Sequence, residues 1–105
     1  MPENLILPLT CYWAYKIKKK EKRIDYRVVK SYWTNRFYNL GLIPSKDFGN
    51  TIGNCNQLKT PFKCGLQTGY KPDTRFYEFI TKIEVVDGFK TDLNINHSVY
   101  AIHFL

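Results

Sequence analysis

The sequence lacks the spacings that identify metal-binding and phosphate-binding motifs. Its three cysteines, Cys11, Cys55 and Cys64, include no Cys-x-x-Cys pair, the spacing typical of structural zinc sites. Gly49 and Gly53 come nearest to a glycine-rich phosphate loop, but Gly53 is followed directly by Asn54 and Cys55 and not by the Lys-Ser or Lys-Thr pair that such a loop needs. We therefore predict no metal and no cofactor. The odd cysteine count indicates reduced thiols inside the cell, while a Cys55–Cys64 bridge stays compatible with the sequence.

The sequence also lacks a hydrophobic segment long enough to span a membrane. The apolar stretch from Leu5 to Tyr15 is shorter than the roughly 20 residues that a spanning helix needs. No basic residues precede it and no small-residue cleavage site follows it, so it is not typical of a signal peptide. Internal repeats and low-complexity tracts are absent from the sequence. We therefore expect residues 1–105 to form one cytoplasmic domain with no membrane partner.

Positive charge is what the sequence does contain, and it is concentrated in one part of the chain. The formal net charge is +7, and residues 1–40 carry nine Lys or Arg against three acids. Most of that excess lies in the run from Lys16 to Arg23. An asymmetry of this kind indicates a polyanionic partner, most often nucleic acid, either DNA or RNA. The binding region is therefore expected between residues 16 and 38.

The residue pattern predicts an α+β fold with one long amphipathic helix at about 24–40. Apolar residues on one face of this helix recur at spacings of three and four: Tyr26, Val29, Trp33, Phe37 and Leu40. β-Compatible residues and alternation predict strands at about 9–17, 74–86 and 95–104, and 57–64 is a further candidate strand. The rest of 42–72 is expected to be a long loop. The helix would pack on a small, mainly antiparallel sheet.

The predicted binding site combines the basic run with the polar face of the predicted helix. Lysine and arginine side chains neutralise phosphates, and they release counterions when they do so. We predict phosphate contacts by six residues of the run: Lys16, Lys18, Lys19, Lys20, Lys22 and Arg23. Positioning and base contacts are predicted for four residues of the helix: Arg27, Lys30, Thr34 and Tyr38. Trp33 and Phe37 are assigned to the core, and no catalytic residue is predicted.

Several alternatives stay open from the sequence. The same basic residues would suit a protein-interaction module or inhibitor, of a kind common in viruses and mobile elements, that docks on an acidic partner surface. A metal-independent ribonuclease would use His97 or His103 with a nearby lysine. Tyr12, Trp13 and Tyr15 lie in an order that suits stacking on unpaired bases, although strand aromatics usually belong to the core. An exposed edge of the last strand would allow a homodimer.

Overall fold

The computed structural model describes residues 5–69 and 72–105, which form one curled five-stranded sheet with two short helices. The predicted domain 1–105 and the predicted loop also include residues 1–4, 70 and 71, which lie outside the described part. The elements follow one another as β1 (Ile6–Leu9), α1 (Cys11–Lys18), β2 (Ile24–Val28), α2 (Ser31–Asn39), β3 (Cys55–Thr68), β4 (Phe76–Asp87) and β5 (Ser98–Phe104). Short 3₁₀ turns occupy Phe48–Asn50, Pro72–Thr74 and Gly88–Lys90.

The strands lie in the order β1-β3-β4-β5-β2 across the sheet. β1 is parallel to β3, and the other neighbouring strands are antiparallel. β1 and β2 are therefore the two edges, and the curl of the sheet brings them together. Arg27 Nη2 on β2 donates a hydrogen bond to the carbonyl oxygen of Pro8 on β1 at 2.8 Å. The sheet thus wraps around its own core, which lies on its concave face.

Both helices contribute side chains to this core. On α2, the Phe37 ring meets the Tyr100 ring of β5 edge-on at 5.1 Å, and the Trp33 ring stacks on Phe37 at 5.9 Å. On α1, Ile17 is fully buried in the same cluster. The sheet supplies aliphatic side chains from four strands: Leu7, Leu66, Ile80, Ile83, Val85 and Ile102. Each such side chain stabilises the fold by about 1.5–3 kcal/mol when fully buried.

The predicted long helix over 24–40 is wrong, and with it the predicted fold class. Ile24–Val28 form β2, which pairs antiparallel with β5, and Ser31–Asn39 alone are helical in this segment. Lys30 separates the two elements with an extended backbone (φ −154°, ψ 163°). The segment before it is rich in β-branched and aromatic residues, which favour a strand when a partner strand lies alongside. The protein is mostly sheet, with 43% strand against 26% helical residues.

The predicted strand over 9–17 is also wrong, because most of this segment forms α1. Thr10 is the N-cap, and its side-chain oxygen accepts a hydrogen bond from the Trp13 N–H at 3.4 Å. Ala14 and Ile17, three residues apart, are buried on one side of the helix. A threonine that satisfies a free N–H group of the first turn is a typical helix start. Capping and this spacing outweigh the strand preference of the aromatic residues.

The predicted loop over 42–72 contains a strand of 14 residues, β3, which is much longer than the candidate strand 57–64. The pairing of β3 with β4 shifts register between Gln57 and Phe62, and Pro61 lies inside that irregular stretch. A proline is tolerated there because no regular ladder hydrogen bond is required of it. This bulge lets the strand continue past a residue that normally ends one.

β4 and β5 lie where strands were predicted at 74–86 and 95–104, with bounds shifted by a few residues. β5 lies between β4 and β2 and has no free edge. The last strand therefore does not offer the exposed edge that would allow a homodimer, and a homodimer stays an open alternative. Within the described ranges, no helix is long and apolar enough to cross a membrane.

Candidate nucleic-acid interface

Four lysines of the predicted site project from the end of α1 and the turn that follows it. Lys18, Lys19 and Lys20 are exposed, and Lys16 is half-buried. Lys16 Nζ lies 3.4 Å from Glu21 Oε1, and Lys20 Nζ lies 3.8 Å from a carboxylate oxygen of Glu78. The Lys16–Glu21 pair is exposed to solvent and therefore weak. The Glu78 oxygen near Lys20 is buried and lies closer to Arg23, while the Lys20 side chain itself is 69% exposed and its charge stays available to solvent. The helix C-terminus itself favours cations, since its last carbonyl groups carry partial negative charge.

Two tyrosines of α1 are exposed beside these lysines. Tyr12 and Tyr15 are 60% and 54% exposed. Lys16 Nζ lies 5.6 Å from the centre of the Tyr12 ring, and Lys19 Nζ lies 4.8 Å from the centre of the Tyr15 ring. Residues four apart on a helix are neighbours, so each lysine lies over the tyrosine one turn before it. We call this surface the α1 basic cluster: Tyr12, Tyr15, Lys16, Lys18, Lys19 and Lys20.

Lys22 belongs to the predicted site but is held against the protein. Its ammonium group lies 4.3 Å from the centre of the Trp13 ring and 5.1 Å from that of Tyr26. It also donates a hydrogen bond to Asp92 Oδ2 at 2.8 Å. These contacts join α1, β2 and the connection that follows β4. Lys22 therefore stabilises the packing of these three parts of the chain, and it is poorly placed to contact a phosphate.

Arg23 is likewise occupied by the protein itself. Its guanidinium group donates to the carbonyl oxygens of Ile17 and Leu105. Arg23 Nη1 also lies 2.7 Å from Glu78 Oε1. That oxygen is buried and accepts no well-aligned hydrogen bond, so the contact is an ion pair without hydrogen-bond geometry. Arg23 thus links the end of α1 to β4.

Arg27 points into the concave side of the sheet. Its Nε donates to Asp25 Oδ2 at 2.6 Å, and its guanidinium carbon lies 5.2 Å from the centre of the Trp33 ring. Together with the hydrogen bond to Pro8, these contacts occupy the guanidinium group. Burial raises the pKa of Asp25 above its usual value, and the adjacent Arg27 opposes that rise. This pair is part of the interior.

The remaining predicted residues do not form one exposed surface with Arg27. Lys30 is exposed just before α2. The Thr34 hydroxyl is buried and hydrogen-bonded to the Tyr100 hydroxyl at 2.6 Å. Tyr38 is exposed, and Lys46 Nζ lies 5.6 Å from its ring centre. The helix face predicted from Arg27 to Tyr38 therefore does not exist as one surface.

The sequence prediction missed a second basic and aromatic surface, on the convex face of the sheet. Tyr77 and Phe79 are exposed there on β4. Lys63 on β3 pairs with Phe79, and its ammonium group lies 4.7 Å from the centre of the Tyr77 ring. The Arg75 side chain lies over Gly65, which pairs with Tyr77. We call this surface the sheet platform: Lys63, Arg75, Tyr77 and Phe79.

A β-bulge in β4 explains why simple alternation did not reveal this surface. Alternation places Tyr77 and Phe79 on one face with Ile83 and Val85. The pairing with β5 shifts between residues 80 and 82, and one extra residue there exchanges the two faces. Ile80 therefore joins Ile83 and Val85 in the core, while the two aromatic rings turn outward.

The histidines of the predicted ribonuclease lie apart from each other. His97 precedes β5, and its ring hydrogen-bonds the carbonyl oxygen of Ser98. His103 lies on β5, contacts Glu84 through Nε2, and is the register partner of Lys82 on β4. Among residues 5–69 and 72–105, no three His, Cys, Asp or Glu side chains are grouped closely enough to hold a metal ion.

The cysteines lie in three different environments. Cys11 and Cys55 are exposed, and Cys64 is buried. Cys55 and Cys64 lie at separate positions of the same extended strand, far beyond the span of a disulfide, so the bridge left open by the sequence does not form. Burial, together with the nearby Asp25 and Glu78, raises the pKa of the Cys64 thiol to about 12. Cys64 is therefore no nucleophile at neutral pH.

Comparison of the chain with protein-family models, with curated proteins and with solved structures finds no match.

Proposed function

We propose that this protein binds nucleic acid through the α1 basic cluster, with no chemistry of its own. The observation that carries the proposal is the pairing of exposed lysine and tyrosine side chains on α1. Lys18 and Lys19 are exposed and in no ion pair within the part of the chain described. Such ammonium groups neutralise phosphates, while exposed aromatic rings offer faces for bases. The exposed free thiols of Cys11 and Cys55 favour a reducing, cytoplasmic setting.

The proposed footprint is smaller than the basic run. Lys22, Arg23 and Arg27 are held by Asp92, Glu78 and Asp25 within the protein, and a partner phosphate would have to displace these contacts. For Arg23 and Arg27 the carboxylate left unpaired, Glu78 or Asp25, is largely buried, and that cost exceeds the gain from one surface phosphate contact. Lys22 would leave the rings of Trp13 and Tyr26 as well as Asp92. We therefore propose that Lys16, Lys18, Lys19 and Lys20 contact the phosphates of the nucleic acid. Lys30 would do so where the nucleic acid extends past α2.

The test is fluorescence anisotropy with labelled single-stranded and duplex oligonucleotides between roughly 50 and 300 mM salt. We compare wild type with Lys18→Gln/Lys19→Gln and with the matched control Lys59→Gln/Lys90→Gln, exposed lysines elsewhere on the surface. Each double variant lowers the net charge by two. Loss of two phosphate contacts should flatten the log–log salt slope by about 1.8 on duplex DNA and about 1.4 on single strands.

The same experiment separates nucleic acid from an acidic protein surface as the partner. Nucleic-acid binding predicts a clear loss for Lys18→Gln/Lys19→Gln and a small, uniform loss for Lys59→Gln/Lys90→Gln. Equal effects of the two variants would mean that net charge alone governs binding. That result would refute the α1 basic cluster as the binding site. If wild type binds no oligonucleotide at 150 mM salt, the proposal is refuted. The remaining class of partner is then an acidic protein that this chain would inhibit.

A metal-independent ribonuclease is the second candidate, because Glu84 and Lys82 lie beside His103 on the convex face. His103, held by Glu84 through Nε2, would accept the 2′-hydroxyl proton at Nδ1 as that oxygen attacks phosphorus, and the Lys82 ammonium group would donate a proton to the departing 5′-oxygen. Lys82 would stabilise the charge on the phosphorane. This candidate predicts RNA cleavage in EDTA that His103→Ala abolishes and His97→Ala preserves. Intact RNA after prolonged incubation with wild type would exclude it.

A further inference from the structure

Two exposed aromatic rings stand side by side on the convex face of the sheet. Tyr77 and Phe79 are 49% and 44% exposed, two residues apart on β4. Side chains two apart on a strand point the same way and lie about 7 Å from each other along it. The described part of the chain gives neither ring an aromatic partner. Large rings left open to solvent in this way are typical of a binding surface.

The charge around these rings is positive. Lys63 lies over Tyr77, Arg75 reaches across Gly65, and Lys82 follows on the same strand. The acid on this face next to them, Glu84, is in contact with His103. A surface of open rings bordered by cations complements a ligand with flat apolar faces and a negatively charged backbone. Unpaired nucleotides have that chemistry.

The sheet platform and the α1 basic cluster meet at the same stretch of β4. This stretch is β4 residues 76–79; next to it, Phe104 of β5 pairs with Ile80, and the Leu105 N–H donates a hydrogen bond to the Phe79 carbonyl oxygen. On the concave side of this stretch, Lys18 Nζ lies 5.3 Å from the centre of the Phe76 ring, and Lys20 approaches Glu78. On the convex side are the two open rings. One nucleic-acid strand that contacts the lysines on one side of these residues and the rings on the other would therefore span a single short stretch of β4.

We propose that Tyr77 and Phe79 stack on unpaired bases, so that the protein binds single-stranded nucleic acid in preference to duplex. The inference rests on the proposed function for its partner class and adds the strand form and a second contact surface. In a duplex the base faces are already stacked on one another, so a protein ring has access to a base face in single-stranded or unpaired regions. Lys63 and Arg75 would hold the phosphates that flank the stacked bases.

The test compares labelled single-stranded and duplex oligonucleotides of one sequence, as DNA and as RNA. The variants are Tyr77→Ala/Phe79→Ala, the ring-preserving Tyr77→Phe/Phe79→Tyr, and the matched control Tyr32→Ala/Phe89→Ala. The control removes two rings that are exposed elsewhere, on α2 and in the connection before β5. Circular dichroism and the urea midpoint of each variant establish that it is folded at the assay temperature.

Each stacked base contributes roughly fivefold or more to affinity. Tyr77→Ala/Phe79→Ala should therefore weaken single-strand binding at least 25-fold and leave the salt slope unchanged, because no phosphate contact is lost. Duplex binding should change less than threefold. The ring-preserving variant and the control should bind single strands within about threefold of wild type. A difference between the DNA and RNA arms would identify which backbone the surface prefers.

Two results would overturn the platform, and neither depends on the α1 basic cluster. The first is unchanged single-strand affinity in Tyr77→Ala/Phe79→Ala, while Lys18→Gln/Lys19→Gln loses binding; the proposed function then stands without the platform. The second is a change in sedimentation mass with no change in binding, which would make this face an interface between protein copies. If Lys18→Gln/Lys19→Gln binds like wild type and the ring variant does not, the platform stands and the cluster fails.

Discussion

The ion pair between Asp25 and Arg27 gives the sharpest prediction for the fold. Asp25 is 6% exposed, and Arg27 donates both to its carboxylate and to Pro8 on the opposite edge of the sheet. Arg27→Met keeps a side chain of similar length but leaves the buried carboxylate without its cation. Breaking such a pair from one side costs about 3–5 kcal/mol. We therefore expect the free energy of unfolding at pH 7 to fall by about that amount.

The free energy of unfolding that Arg27→Met removes should depend on pH in a defined direction. Burial already raises the pKa of Asp25, and Arg27 works against that rise, so Arg27→Met raises the pKa further. A carboxyl group whose pKa is raised by folding stabilises the folded protein below its unfolded pKa. It loses that stabilisation as pH increases through the folded pKa. The difference between wild type and Arg27→Met should therefore shrink as pH falls from 7 toward 4.

The assay is urea unfolding followed by tryptophan fluorescence at several values of pH. Lys59→Met, which removes one positive charge at an exposed position, is the matched control and should cost less than about 0.5 kcal/mol. Asp25→Asn/Arg27→Met should be more stable than Arg27→Met at pH 7, because the buried charge is gone. A cost below about 1 kcal/mol for Arg27→Met, or a cost that stays constant from pH 7 to pH 4, would refute this reasoning.

Two further predictions concern thiol reactivity and backbone packing. A thiol reagent at pH 7.5 should modify Cys11 and Cys55 in the native protein and Cys64 after denaturation, because the buried thiol holds its proton up to about pH 12; three equal rates would contradict this. Gly88→Ala should lower the melting temperature by several degrees, since a Cβ atom would lie 2.7 Å from the Ile95 carbonyl oxygen, and backbone cannot rotate away as a side chain does. A melting temperature within one degree of wild type would contradict the packing there.

The helical spacing over 24–40 led to a wrong prediction because the periods of a helix and of a strand coexist in that segment. Ile24, Tyr26 and Val28 also alternate with Asp25 and Arg27, which is the period of a strand. Spacing alone does not choose between the two patterns in so short a segment. The choice is made by β5, since pairing with it satisfies the backbone of β2. A partner strand some 75 residues away in the chain leaves no mark on the local pattern.

The predicted site differs from the proposed one for another reason. The composition showed where the basic residues lie in the sequence, but not which acidic residues they contact in the fold. The acids that occupy Lys22, Arg23 and Arg27 come from three separate parts of the chain. Two of those acids, Asp92 and Glu78, lie more than 50 residues after the basic run. Long-range pairing of this kind is invisible to a count of charges. It divides the basic run into two parts. Lys16, Lys18, Lys19 and Lys20 belong to the α1 basic cluster, whereas Lys22 and Arg23 are held by contacts within the protein.

A single extra residue in β4 decides whether the protein has the proposed sheet platform. Without the shift between residues 80 and 82, regular alternation would direct Tyr77 and Phe79 toward the side that holds the core. With it, the aliphatic residues of β4 fill the core and both rings remain in solvent beside Lys63. Deleting Thr81, the residue inside the shift, should therefore disrupt the core and the platform together. Tyr77→Ala/Phe79→Ala should remove the platform and leave the core intact, so the two variants separate the structural role of β4 from its role in binding.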